Sequence, residues 1–151
     1  MQGKEFAVNG AEQKQERTRL RFPHRARLLK HAAFEKVYAE GRRIFSTNIT
    51  VFYLRRDSDA ERHPRIGFTV SRALGEAVQR NRIRRRLREA VRMNLPALTA
   101  AVDVVINPKR TTERTDFRQL VSEVERAFAQ IEKKAKAFTT EDAEAHRGEQ
   151  Q

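Results

Sequence analysis

Apolar and polar positions along the chain switch between a period of two and a helical period, and the switches outline the elements. Ile66, Phe68 and Val70 alternate with Gly67, Thr69 and Ser71, which predicts a strand over residues 65–70. Residues 44–54, IFSTNITVFYL, form the longest strand prediction, with Ile49, Val51 and Tyr53 on one face and Thr50, Phe52 and Leu54 on the other. Both faces carry aromatics. One therefore packs on helices and the other, marked as the wetter by Thr50, forms a groove. The run VDVVIN at 102–107, closed by Pro108, reads as a buried strand.

Three stretches carry the helical period. Phe34, Val37 and Tyr38 share one face of a helix over 31–40 that starts on a weak N-cap, His31, and stops at Gly41. Ile83, Leu87, Ala90 and Val91 fall within one arc of a helix over 80–92, ended by Pro96. Phe117, Leu120, Val121, Val124, Phe128 and Ile131 trace the last helix, for which Asp116 and Gln119 are suited to a capping box. The polar stretch 55–64 predicts a hairpin loop. Strand, helix and strand over 65–107 predict a parallel pair joined by a crossover, right-handed by general statistics. Residues 1–19 predict a flexible N-terminal tail, 20–135 one α+β domain, and 136–151 a disordered C-terminal tail.

Charge narrows the function. Among 151 residues, 32 Lys and Arg face 20 Asp and Glu, a net charge of +12 that calls for a polyanionic partner. No apolar stretch is long enough to span a bilayer and no signal-peptide core precedes the domain, so nucleic acid is favoured over membrane and the expected location is cytoplasmic. Cysteine is absent and the four histidines lack metal-ligand spacing, so neither thiol chemistry nor a zinc site is expected. No nucleophile, phosphate-loop or dinucleotide motif appears. Asn48-Ile49-Thr50 matches a glycosylation sequon by chance, and Asp57, Asp59 and Glu61 read as a solvated loop.

The helix over 80–92 has the most unusual composition. Asn81, Arg84, Arg85, Arg88 and Arg92 make one stripe without an acid, and Arg82, Arg86 and Glu89 make a second beside it. Helices that serve only as structure mix signs at i,i+4 and keep cations away from the positive N-terminal end. Like-charge crowding here fits a helix whose counter-charges are phosphates, which the planar guanidinium binds with two parallel hydrogen bonds.

The run GFTVSRALGEAVQRNRIRRRLREAVR closely resembles the signature of the bacterial ribonuclease P protein family, with its valine-serine strand end, glycine and Arg-Asn-Arg helix. The likeness extends over about residues 20–133, including an early helix in RLLKHAAFEKVYAEG. It implies a single α+β domain with a mixed four-stranded sheet and about three helices, and a left-handed crossover carrying the arginine helix. It also implies that the protein assists a catalytic RNA in removing the 5′ leader of precursor tRNA, with Mg2+ held mainly by the RNA and no catalytic or metal-binding residue in the protein. Arg80, Asn81, Arg82, Arg84, Arg85 and Arg88 would meet the catalytic RNA and adjoining substrate, and Phe34, Tyr38, Thr50 and Phe52 the single-stranded leader. Asn81 suits either a helix cap or a contact with RNA or hydrated metal. Gln79 and Glu76 depart from the family's usual basic residues there. A ribosomal-type RNA-binding protein would share the charge but stimulate no cleavage. A DNA-binding helix would follow another helix, whereas this one follows a strand.

Overall fold

The computed structural model describes residues 22–56 and 62–149, with side chains to 137. The predicted N-terminal tail and the carboxylates at 57, 59 and 61 lie outside the described residues. Four strands, β1 (Arg42–Phe45), β2 (Ile49–Arg55), β3 (Arg65–Phe68) and β4 (Val102–Pro108), form one sheet in the order β1-β2-β4-β3. β4 runs antiparallel to β2 and parallel to β3, so the sheet is mixed. Among the described residues three α-helices accompany it: α1 (His31–Glu40), α2 (Ala77–Asn94) and α3 (Phe117–Glu149).

β4 occupies the interior of the sheet, and every residue from Val102 to Ile106 is buried. That position explains its apolar run without alternation. Val104 and Ile106 point to the same side as Ile49, Val51, Tyr53 and Ile66. There they meet Ile83, Leu87 and Val91 of α2 and Leu120, Val124, Phe128 and Ile131 of α3 in the main core. On the opposite face Val105 and Phe52 pack with Leu28 and with Val37 of α1 in a smaller cluster. The domain is thus a sheet with one helix on one face and two on the other.

Two strand predictions change. The stretch expected as one long strand over 44–54 is the hairpin β1–β2, because Ser46, Thr47 and Asn48 favour a turn over an extended ladder. Splitting it supplies the fourth strand. The segment over 55–64 is not the loop of a hairpin, since β4 inserts between β2 and β3. At the start of β4, Asp103 is buried and accepts hydrogen bonds from Arg56 at 2.7 Å and from Arg65 at 2.8 and 3.0 Å. This links the two strands on either side of β4.

The β1–β2 turn is anchored by a buried polar cluster. Asn48 donates its backbone N–H to Glu123 Oε1 at 2.7 Å and its side-chain amide to Oε2 at 2.5 Å. Its carbonyl accepts from the Thr112 hydroxyl at 2.7 Å and the Lys109 N–H at 2.8 Å. Each of Asn48, Thr112 and Glu123 is at most 2% exposed. Polar groups so deep are tolerated only when satisfied, and here each partner satisfies another. Asn48 is thereby withdrawn from the surface that glycosylation would require.

Helix ends follow local chemistry. Gly41 stops α1 with φ −78°, not in the left-handed conformation expected of a C′ glycine. A Cβ there would run into the carbonyl of Val37 and stand 2.7 Å from that of Tyr53, so close approach is what demands glycine. Asp116 Oδ1 accepts the Arg118 N–H at 3.0 Å at the start of α3. α3 continues to Glu149, over the stretch expected as a disordered tail; Ala- and Glu-rich sequence without proline favours that continuation.

Candidate RNA-binding site

α2 begins at Ala77, three residues before the predicted start, because Glu76 and Gln79 form a capping box. Gln79 Oε1 accepts the Glu76 N–H at 2.7 Å, and the Glu76 side chain accepts the backbone N–H of Gln79. The two residues that depart from the family's basic pattern therefore have a structural role. Asn81 lies in the second turn and is not the cap. Its Oδ1 accepts from Arg84 Nη1 at 3.1 Å, which leaves both groups near the surface and fixes the guanidinium's direction.

The arginines of α2 divide by partner. Arg86 donates to the carbonyl of Glu113 at 2.9 Å and to that of Thr115, and the 60% exposed side chain of Arg82 pairs with Glu113 at 3.3 Å. This stripe ties α2 to the 3-10 turn Arg110–Glu113 and the start of α3. At the other end Asn94 donates to the carbonyls of Ala90 and Val121, at 2.9 and 3.2 Å. Arg92 bonds Glu89, holding that carboxyl below and its own guanidinium above their ordinary ranges. Arg85 and Arg88 are exposed and make no hydrogen bond or ion pair among the described residues. Arg80 is half-buried, and its buried Nε has no hydrogen-bond partner. Arg80, Asn81, Arg82, Arg84, Arg85 and Arg88 thus all lie on one helix, but only Arg85 and Arg88 are both exposed and without a protein partner.

The proposed groove residues come together on the face of the sheet that carries α1. Phe34 lies across Gly67, where a Cβ would run into the Phe34 ring, 2.7 Å from its Cε1. Only glycine lets α1 settle there. Tyr38 meets the Phe52 ring edge-on, with centroids 4.9 Å apart and planes at 78°. Its hydroxyl is 2.6 Å from Thr69 Oγ1 and 2.8 Å from Asn107 Oδ1. Thr50 is half-buried in β2 opposite Asn107. Phe52 is only 9% exposed, with the Arg43 guanidinium 5.3 Å from its ring centroid, so it supports the groove and does not offer an open stacking face.

Four residues of this face escape the sequence reading: Thr69, Asn107, Arg43 and Phe45, which is 71% exposed. The signal for Asn107 was present, a polar residue two places beyond Val105 on the same side of a strand. Arg43 and Phe45 become visible only when the hairpin is recognised, since pairing sets Arg43 opposite Phe52 and Phe45 opposite Thr50.

A mixed sheet bearing a firmly anchored helix with free arginines, next to a polar and aromatic sheet face, defines a basic α+β protein built to meet a polyanion. The family model described as Ribonuclease P matches residues 22–132. The ribonuclease P protein component of Finegoldia magna is 36% identical over 96 residues, covering 64% of this chain and 81% of that protein. That of Chloroflexus aurantiacus is 47% identical over 102 residues, covering 65% and 71%. The solved RNase P protein of Staphylococcus aureus aligns with a TM-score of 0.59 at 25% identity, covering 70% of this chain and 94% of that one. The Thermotoga maritima protein, at 24% identity, shares the fold with a TM-score of 0.61, covering 69% and 96%. The chain belongs to the ribonuclease P protein family, and is thus a protein subunit of an endoribonuclease.

The division of arginines predicts separable losses. Arg86→Ala leaves two carbonyls without their donor and is expected to lower unfolding stability by about 2 kcal/mol. Arg85→Ala is expected to stay within about 0.5 kcal/mol of the parent. Urea denaturation of the two variants measures this, and equal losses would contradict the division.

Proposed function

We propose that α2 binds the catalytic RNA of ribonuclease P and that the sheet face beside α1 receives the single-stranded 5′ leader of precursor tRNA. The observation that carries the first half is the pair Arg85 and Arg88, exposed and unneutralised on a helix that Arg82 and Arg86 fasten to the domain. Phosphates supply the missing charge and release counterions in doing so. A helix fixed at both ends presents its cations without losing orientational freedom on binding, which favours affinity. The cytoplasm, where precursor tRNA is processed, is the expected setting.

In this reading the RNA performs the hydrolysis. Among the described residues no group of three His, Cys, Asp or Glu side chains is placed to hold a metal. Mg2+, held mainly by the RNA, would supply an activated water and stabilise the leaving oxygen. The protein contributes charge and position. α2 lowers the repulsion between catalytic and substrate RNA, and the groove adds contacts to a leader that the catalytic RNA does not pair.

The groove suits an unpaired strand. Arg43 offers a cation, exposed Phe45 a stacking surface, and Tyr38, Thr50, Thr69 and Asn107 hydroxyl and amide groups for backbone or base edges. Stacking of this kind tolerates many sequences. No helix among the described residues is long and apolar enough to cross a membrane.

Binding of the catalytic RNA by the Arg85→Ala/Arg88→Ala double variant, measured over a salt series, should give a log-log slope shallower by roughly 1.5. An unchanged slope would remove α2 from the RNA interface. For the groove, Arg43→Ala in the reconstituted holoenzyme should weaken binding of leader-bearing precursor by about fivefold and leave leaderless tRNA unaffected. Equal loss for both substrates would contradict leader binding by this face.

A further inference from the structure

The arginine row of α2 does not end at Arg88. One turn further on, Arg92 reaches the rim of a cleft of about 560 Å³ at the C-terminal end of the helix. That volume lies within the roughly 300–1,000 Å³ typical of small-ligand sites. Three separate segments build it: the 3-10 turn His24–Ala26, the residues leading into β3, and the turn that follows α2. Arg25, Arg62, Arg92 and His63 stand on its rim, while Ala26 and Leu98, 5% and 3% exposed, belong to its apolar floor.

We infer that this cleft takes one unpaired nucleotide of an RNA strand that continues from the Arg85–Arg88 row, its base on the Ala26–Leu98 floor and its phosphates at Arg25, Arg62 and Arg92. The chemistry of the lining selects that class of ligand. Inorganic phosphate would use the arginines but has nothing to gain from an apolar floor. An apolar ligand would use the floor and leave the cations without counter-charge. A nucleotide uses both, and guanidinium planes also stack on bases. The nucleotide must be unpaired, because a paired base cannot leave its helix to enter a cleft without losing its partner.

Among the described residues Arg25 and Arg62 are left available. The nearby acids among the described residues are Glu89 and Glu132, and both are engaged: Glu89 with Arg92, and Glu132 with the backbone N–H and hydroxyl of Thr99, at 2.6 and 2.9 Å. Arg25 and Arg62 are exposed and have no hydrogen bond or ion pair among the described residues. Arg92, oriented by Glu89, joins the cleft to the row on α2. A larger cleft, beside the 3-10 turn Arg110–Glu113, lacks this combination, since Arg110 donates to the carbonyl of Ala73 at 2.8 Å and Glu113 is taken by Arg82.

The inference rests on α2 facing RNA, and its test separates the two. The full-length protein is titrated with AMP and, in parallel, with inorganic phosphate, while NMR follows the Leu98 and Thr99 amides and the His63 ring. AMP should shift these signals saturably at millimolar concentration, and phosphate at the same concentration should shift them far less. Arg25→Ala/Arg62→Ala should abolish the AMP response and weaken binding of the catalytic RNA about tenfold, against less than about twofold for the charge-matched Arg118→Ala/Arg126→Ala. An AMP response no larger than that of phosphate, or equal RNA loss in the two double variants, overturns the cleft assignment even while wild-type protein binds the RNA. Failure of the wild type to bind the RNA would instead overturn the reading of α2, with the AMP comparison still deciding the cleft.

Discussion

Burial of β4 on both faces and both edges is the constraint from which the rest of the architecture follows. A strand that pairs with β2 on one side and β3 on the other, under helices above and below, requires each neighbour to be in place before its apolar side chains leave water. The parallel pairing with β3 requires a crossover, and α2 is the helix in that crossover. The position of the arginine helix is therefore a by-product of completing the sheet. Its buried side, Ile83, Leu87, Ala90 and Val91, is fixed by the core, and its outward side is left to carry charge.

That outward side would be unstable as an isolated helix. Like charges at i,i+4 each cost a few tenths of a kcal/mol, and α2 carries several such pairs. The structure offsets this by using some of the arginines as fasteners. Arg86 and Arg82 join the helix to the 110–115 segment, Asn94 joins its end to α3, and Glu76 with Gln79 closes its beginning. What remains unpaired is a short row on a rigid support. The same logic operates across the sheet, where Gly67 admits Phe34 and allows α1 to lie close enough for Tyr38 to reach Thr69 and Asn107.

Much of this was legible in the sequence, for identifiable reasons. The span of α1 and the arginine helix with its apolar arc rest on periodicity, and the buried strand 102–107 on a continuous apolar run, each over an uninterrupted segment. Long-range pairing was not legible. Nothing local in 44–54 distinguishes one strand from a hairpin except three turn-forming residues, and nothing local says that β4 inserts between β2 and β3. The roles of polar residues were lost for the same reason. Glu123 and Asn48 are 75 positions apart, Asp103 and Arg65 are 38 apart, and each pair makes sense only once the sheet has brought its members together. The α2 stripes were visible on a helical wheel, but which arginines were fasteners and which were free depended on a loop some 30 residues away.

In the proposed function the protein assists an RNA catalyst by charge and position. The most direct test is cleavage of end-labelled precursor tRNA by the matching catalytic RNA at low millimolar Mg2+, with and without this protein. Release of the intact 5′ leader is expected to depend on the protein at that magnesium concentration, with no cleavage by the protein alone. Tight RNA binding without any gain in cleavage, or cleavage by the protein in the absence of the RNA, would contradict it.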